Sequence, residues 1–307
     1  MFFLVLVLLF SGTAAMAQSI PSRPTITGIS HLAVYTSNPE ATEHYYTVTI
    51  GAVKQPDPEN PKGVRYALSP TQFIEVLPLP PDAGVNRMDH AAFNTEDADG
   101  LRKWLGLNGW PTPDAVTKGS DGSTWFEIRD PEANRIQFVQ PPAKAKVDAP
   151  NAIGNHIIHV GFLVHNRDRQ DEFYRHILGF KPYWYGGMSD DRVDWVSQQV
   201  PNGHDWLEYM LTTGPTGLGI PAGMSQHQLG VLDHFSIGRN SVEDTYKMLN
   251  DTGRLKGVQC DPGTKVGKDG KVQFNMYDPD QIRAELMSFH AVENPCCSPF
   301  TAEDPAQ

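Results

Sequence analysis

The sequence predicts an α+β protein made of two tandem domains, each assembled from two β-α-β-β-β modules. Three observations carry this expectation. Short segments of alternating apolar and polar residues recur along the chain, separated by turns that use its 27 Gly and 25 Pro. Amphipathic helical segments stand singly between groups of these strands. The chain also repeats itself: "GISHLAVYTSNPEATEHYYTVTIGA" (28–52) returns as "IIHVGFLVHNRDRQDEFYRHILGF" (157–180), and "RDPEANRIQFV" (129–139) as "YDPDQIRAELM" (277–287).

In each half an apolar strand containing a His precedes an amphipathic helix. Ser37 and Asn38 supply the first helix start, with Pro39 in its opening turn, and Gly51 and Gly179 supply the stops. Strand pairs follow at 63–79 and 192–211, then second His-bearing strands at 87–95 and 231–239. Second helices are expected over 95–105 and 241–250, where Ser241 and Asp244 resemble a capping box. A closing strand pair ends each half. The length of 307 residues allows each half its own core. The division expected is a domain over 28–141, a linker over 142–156 within the Pro- and Ala-containing stretch, a domain over 157–290 and a tail over 291–307.

The formal net charge of −11, without any basic run, excludes a nucleic-acid binder, and the glycine patterns of dinucleotide and P-loop sites are absent. At the start, the apolar run Phe2–Phe10 is too short to span a bilayer and leads to Ala15-Met16-Ala17, an A-x-A cleavage pattern before Gln18. Residues 1–17 are therefore expected to be a signal peptide, residues 18–27 a short lead-in, and the mature protein periplasmic or secreted, with no stable membrane insertion. In such a compartment Cys260 is expected to bridge to Cys296 or Cys297, leaving one thiol free.

Aligning the halves places His31 over His159, Glu75 over Glu208, His90 over His234, and Gln137 over Glu285. The intervals are 44, 15 and 47 residues in the first half and 49, 26 and 51 in the second; the difference lies mainly in the loop 212–230. Strand phase puts His159 on one face with Gly161 and Leu163, and Ile158, Val160 and Phe162 on a purely apolar opposite face. Inward imidazoles and carboxylates on neighbouring strands suit one divalent first-row ion (Fe2+, Mn2+, Ni2+, Co2+ or Zn2+) and are costly to bury without it. The expected ligands are His159, His234, Glu285 and Glu208, the last also a candidate general base. A weaker second site comprises His31, Glu75, His90 and Gln137, because a neutral amide replaces the carboxylate. His204 and His227 are candidate acid–base groups. Tyr183, Trp184, Tyr185, Trp195 and Trp206 are a candidate aromatic wall for a flat substrate, and 213–223 a candidate lid.

The strings "DEFYRHILGF" and "DPEANRIQFV", with the histidine spacing, resemble the vicinal oxygen chelate superfamily of glyoxalases, extradiol ring-cleavage dioxygenases and bleomycin-resistance proteins. The resemblance covers nearly the whole mature chain. It implies that two βαβββ modules form a curved, half-open barrel around a metal, and two barrels in one chain look like the extradiol layout. That family carries a Tyr four residues before the turn proline, where this chain has Asn275. The His-Glu-His-Glu set looks instead like that of glyoxalase I. The expected activity is metal-dependent isomerase or lyase chemistry on a small oxygenated molecule held by bidentate chelation. The alternatives are a non-haem Fe(II) ring-cleaving dioxygenase and a non-catalytic binder of the bleomycin-resistance type.

Overall fold

The computed structural model describes residues 22–212 and 219–306; the expected signal peptide and most of the candidate lid lie outside these residues. In the first half, β1 (Ile26–Thr36) is followed by α1 (Pro39–His44), β2 (Val53–Pro56), β3 (Val64–Ala67) and β4 (Phe73–Pro78). Then come β5 (Met88–Thr95), α2 (Ala98–Leu107), β6 (Thr117–Lys118), β7 (Thr124–Arg129) and β8 (Arg135–Gln140). The second half repeats this with β9 (Ile157–Val164), α3 (Arg167–Asp171), β10 (Lys181–Gly186), β11 (Trp195–Gln199) and β12 (Trp206–Leu211). It continues through α4 (Gln226–Leu232), β13 (His234–Arg239), α5 (Val242–Asp251), β14 (Gln259–Cys260), β15 (Lys265–Val266), β16 (Val272–Tyr277) and β17 (Arg283–Ser288).

The strands form two curved sheets, ordered β2-β3-β4-β1-β5-β8-β7-β6 and β10-β11-β12-β9-β13-β17-β16-β14, with β15 paired to β16. Two modules therefore join back to back in each sheet, through the antiparallel pairs β1–β5 and β9–β13. These four strands carry the four histidines, which is how duplication converges them.

Local chemistry accounts for the helices. Asn38, rather than Ser37, caps α1: its side-chain oxygen accepts from the Ala41 amide at 3.2 Å, and Asn166 does the same for Arg169 at 3.1 Å. Both helices run on into a π-helical turn, Tyr45–Thr49 and Glu172–Ile177, before stopping at Gly51 and Gly179, each at φ +78°. A side chain at Gly51 would also strike the Asn151 carbonyl 1.9 Å from the added carbon. The capping box belongs to α4, where Ser225 and Gln228 bond each other's backbone, in a segment whose Gly-rich approach predicts a loop. At Ser241 only the forward bond, to the Asp244 amide, is present.

A bulge precedes the first histidine of each half. Ile29 pairs with Phe93 and His31 with Ala92, so Ser30 is the extra residue; Ile157 pairs with Ile237 and His159 with Ser236, so Ile158 is. The bulge corrects the expected strand phase. Val160 and Phe162 enter the main core, but Ile158 packs separately with Tyr183, Trp184, Trp206, Met287 and Phe289.

The repeated Asp-Pro turns explain themselves at the contact between halves. Asp280 accepts from the Ser37 amide at 2.9 Å, the Ser37 hydroxyl at 2.7 Å and Arg87 Nε at 3.1 Å, while Asp278 accepts from the Tyr46 hydroxyl at 3.0 Å. Reciprocally, Glu132 accepts from the amides of His165 at 3.0 Å and Asn166 at 2.6 Å, and Asp130 from Gln170 at 2.9 Å. Each half's turn thus holds the start of the other half's first helix. Between them, Gln72 Nε2 donates to the carbonyls of Ile29 at 3.1 Å and Ile157 at 2.9 Å, and Asp205 accepts from the Ile29 amide at 2.9 Å.

The tail straps the second sheet. Thr301 donates its amide to the Tyr183 carbonyl at 2.9 Å, and Asp304 accepts from Lys271 Nζ at 2.7 Å and from the Tyr183 hydroxyl. Lys271, the residue before β16, is itself fully buried and reaches the Tyr183 hydroxyl of β10 at 3.2 Å. The cysteines pair differently from the expectation: Cys296 bonds Cys297 and Cys260 is free. Cys260 packs against the main core, whereas Cys296 packs in the separate cluster beneath the tail, so they belong to different parts of the fold.

Asp280→Ala leaves the buried Arg87 guanidinium without its carboxylate and two groups of Ser37 without an acceptor, and is expected to cost about 3 kcal/mol in chemical denaturation. Burial pushes the Asp278 carboxyl up to about 7, against the hydrogen bonds it accepts. A raised folded-state value contributes stability that is full below the unfolded value of roughly 4 and is lost as pH rises toward 7. Asp278→Asn should therefore flatten the decline in stability across that window, by roughly 1.4 kcal/mol per pH unit; an unchanged slope would contradict the assignment.

Candidate metal centres

In the second half four adjacent strands each contribute one residue to the concave face: Glu208 from β12, His159 from β9, His234 from β13 and Glu285 from β17. The two histidines face each other through Nε2 at 3.0 Å. Glu285 Oε2 lies 3.2 Å from His159 Nε2, and Glu208 Oε2 lies 3.4 Å from His234 Nε2. His234 donates its Nδ1 proton to the Leu232 carbonyl at 2.8 Å, which leaves Nε2 as the lone-pair nitrogen. His159 lies tilted against the Trp206 ring with centroids 4.6 Å apart, and its Nδ1 has no partner among the described residues.

The electrostatics keep these groups in ligand form. Burial, with Arg283 nearby, holds the His234 imidazole down at about 4, so it is neutral at physiological pH. Burial alone would raise Glu285, but the His159 hydrogen bond and Arg283 overcome it and hold the carboxyl at about 2. Glu208 is likewise lowered against the effect of burial, chiefly by His234. Both carboxylates open onto a cavity of about 150 Å³ lined by Trp184, Trp195, Lys268, Asp269, Gln273 and Arg283.

The first half builds the same arrangement. His31 and His90 face each other through Nε2 at 3.0 Å, and Glu75 Oε2 sits 3.7 and 3.6 Å from the two nitrogens. The outer nitrogens are better supported here. Ser30, the bulge residue, places its hydroxyl 3.1 Å from His31 Nδ1, and Asp89 lies 2.7 Å from His90 Nδ1, itself held by Arg135 at 2.5 Å. In the second half Ile158 replaces Ser30, and Asp233 turns instead to the Leu163 amide at 3.2 Å. Gln137 is fully buried at the position of Glu285. This cup has a volume of about 550 Å³ and is lined by Tyr35, Glu59, Trp125, Glu127 and Arg135 as well as Glu75 and His90.

Both clusters fit a cation. Two bonds of about 2.1 Å at a right angle place their nitrogens about 3.0 Å apart, against roughly 3.4 Å for a tetrahedral pair, so the Nε2 pairs suit an octahedral ion. Among the described residues, Glu75 Oε2 and Gln137 Oε1 are buried acceptors with no donor. Buried groups of this kind cost several kcal/mol unless a counter-charge meets them.

Other residues singled out in the sequence separate into those the cup holds and those it does not. Trp184 and Trp195 line the second cup, stacked 6.5 Å apart, whereas Tyr183 and Trp206 are core beneath the tail and Tyr185 is 40% exposed. His204 and His227 line neither cup. Both are exposed, His204 near the Glu303 carbonyl and His227 on α4 beside Gln281, which corrects the acid–base reading. Among the other lining residues, Arg283 is legible in the sequence, because Arg135 holds the same place in the earlier repeat. Glu59 and Asp269 come from turns that carry no pattern.

Residues 156–286 match the family model described as the Glyoxalase/Bleomycin resistance protein/Dioxygenase superfamily. No curated protein matches the chain by sequence. Among solved structures, a 2,3-dioxygenase from Pseudomonas sp. KL28 is similar at TM-score 0.64 and 15% identity, over 87% of this chain and 93% of that one. A homoprotocatechuate 2,3-dioxygenase from Brevibacterium fuscum gives 0.62 and 15%, over 91% and 88%. An Mn(II)-bound glyoxalase from Novosphingobium aromaticivorans gives 0.60 and 17%, over 86% and 83%. At these identities the likeness establishes the fold, and both sheets share in it. Residues 156–286 therefore form a domain of the Glyoxalase/Bleomycin resistance protein/Dioxygenase superfamily, and the first half repeats the same modules.

Proposed function

We propose that this chain is a divalent-metal-dependent enzyme acting on a small organic molecule that chelates through two neighbouring oxygens. Its reaction centre is assigned to the second half. The observation that carries the reading is the facing Nε2 pair of His159 and His234, with Glu285 and Glu208 closing on it from either side inside a lined cup. His159, His234 and Glu285 are the proposed ligands, and Glu208 a fourth ligand or general base. The dioxygenases and the Mn(II)-bound glyoxalase that share the fold support metal-dependent chemistry of this kind. When bound, a divalent ion with open positions polarises a substrate oxygen and stabilises negative charge that develops there.

The chain's own residues supply the remainder. Glu208, 14% exposed at its side chain and held ionised by His234, is placed to take a proton from a substrate carbon. Asp269 lines the same cup, and burial pushes its carboxyl up to about 7, so near neutral pH it can return a proton. The Arg283 guanidinium, 3.9 Å from Glu285 with its Nε unpartnered, faces negative charge on the substrate. Trp184 and Trp195 offer flat apolar walls. A proton taken and returned with charge held between is enolate or enediolate chemistry, and an isomerase or lyase is the reading preferred.

Ring-cleaving dioxygenase activity is the second reading, favoured by the fold shared with the 2,3-dioxygenases. Against it, Asn275 stands across from Glu285 with its amide tied to Asp261 at 2.9 Å. The apolar run at Phe2–Phe10 and the A-x-A pattern after it support an exported enzyme.

Elemental analysis of protein purified without oxygen or chelator, beside a His159→Ala/His234→Ala variant, tests the proposal. About one equivalent of metal is expected to disappear in the variant. Iron in the lost fraction favours the dioxygenase; manganese, nickel, cobalt or zinc favours the isomerase or lyase. Metal content unchanged by the two substitutions would overturn the second-half assignment.

A further inference from the structure

We infer that the first half is a second, independent metal centre, and that Glu59 makes it one by fixing Gln137 as an oxygen ligand. This does not depend on the second-half assignment, because it rests on other residues.

The loss of a carboxylate at Gln137 is offset by a loop. Glu59 lies between β2 and β3 and reaches into the cup, where its Oε2 accepts from Gln137 Nε2 at 2.6 Å and its Oε1 accepts from Arg65 Nη2 at 2.5 Å. Glu59 is thus gripped from both sides and binds the nitrogen end of the amide. An amide so held must present its carbonyl on the other side, and Gln137 Oε1 is buried with no donor among the described residues. Glu75 Oε2, also without a donor, lies within 3.7 Å of both histidine nitrogens. Two imidazole nitrogens, one carboxylate oxygen and one amide oxygen form a donor set for a borderline divalent ion such as Mn2+, Co2+, Ni2+ or Zn2+. Asp57 and Glu59 also add two carboxylates near Glu75, and both share the one guanidinium of Arg65, so a cation bound there meets negative charge. Ser30 and Asp89 complete the support of both histidines.

Glu59 is a positioning residue, so its test reads the metal and not only stability. Apoprotein is titrated with Co2+, following the visible spectrum and bound metal. The set comprises the full chain, His159→Ala/His234→Ala, His31→Ala/His90→Ala, Glu59→Gln and Glu59→Gln/Gln137→Glu. About two ions per chain are expected in the unaltered protein and about one in each histidine variant. Glu59→Gln should weaken the first-half ion about tenfold or more and leave the other unchanged. The double exchange moves the carboxylate onto the strand, as in the second half, and should restore binding. That rescue separates positioning from misfolding. One ion in the unaltered chain and none in His159→Ala/His234→Ala would overturn the inference while sparing the second-half reading. The opposite pattern, with the ion lost only in His31→Ala/His90→Ala, would overturn the second-half reading and spare this one. Unchanged first-half affinity in Glu59→Gln would overturn the role of Glu59.

Discussion

Burying imidazoles and carboxylates at the centre of a β-sheet is the constraint around which this molecule is arranged. His31, His90, His159 and His234 are at most 2% exposed, and Glu75 and Glu285 at most 3%. Such groups are tolerated inside a protein only when every charge and lone pair is met. The sheets meet part of that demand with Ser30, Asp89 and the Leu232 carbonyl, and leave the inward nitrogens and oxygens pointing at one another. A cation is the group that resolves all of these contacts at once.

The duplication provides the geometry. Central strands β1 and β5, or β9 and β13, run antiparallel and bring one histidine from each module across a shared ladder. A bulge before the first histidine re-aims it, so that strands from two modules converge on one point. The same duplication supplies rigidity, because each Asp-Pro turn carries carboxylates that hold the opposite half's first helix. Gln72 and Asp205, one from each half, bind the backbone just before the histidines. The centres are therefore braced by one another.

The halves have diverged in complementary ways. The second takes its carboxylates from its own strands, has a cup of about 150 Å³, and carries a tail clamped by Lys271 and Asp304. The first has an amide on the closing strand, carboxylates on a loop, and a wider cup of about 550 Å³. Support around the histidines runs the other way, being fuller in the first half. Neither centre is simply a decayed copy of the other.

Alternation and helical period are local and duplication writes them twice, so the repeat, the four aligned positions and most of the strand and helix order are legible in the sequence, α4 excepted. His31, Glu75 and His90 meet as aligned, and so do His159, Glu208, His234 and Glu285. Features set by contacts distant in the chain emerge only on folding. The bulges moved Ile158 out of the main core, since register depends on the partner strand. The tail placed Cys296 away from Cys260, and His204 turns to the tail while His227 sits on α4, both outside the cups. The β2–β3 loop brought Glu59 to Gln137, 78 residues away, an approach that no local pattern encodes. A strand's period fixes which way its side chains point, but only closure of the sheet fixes what they meet.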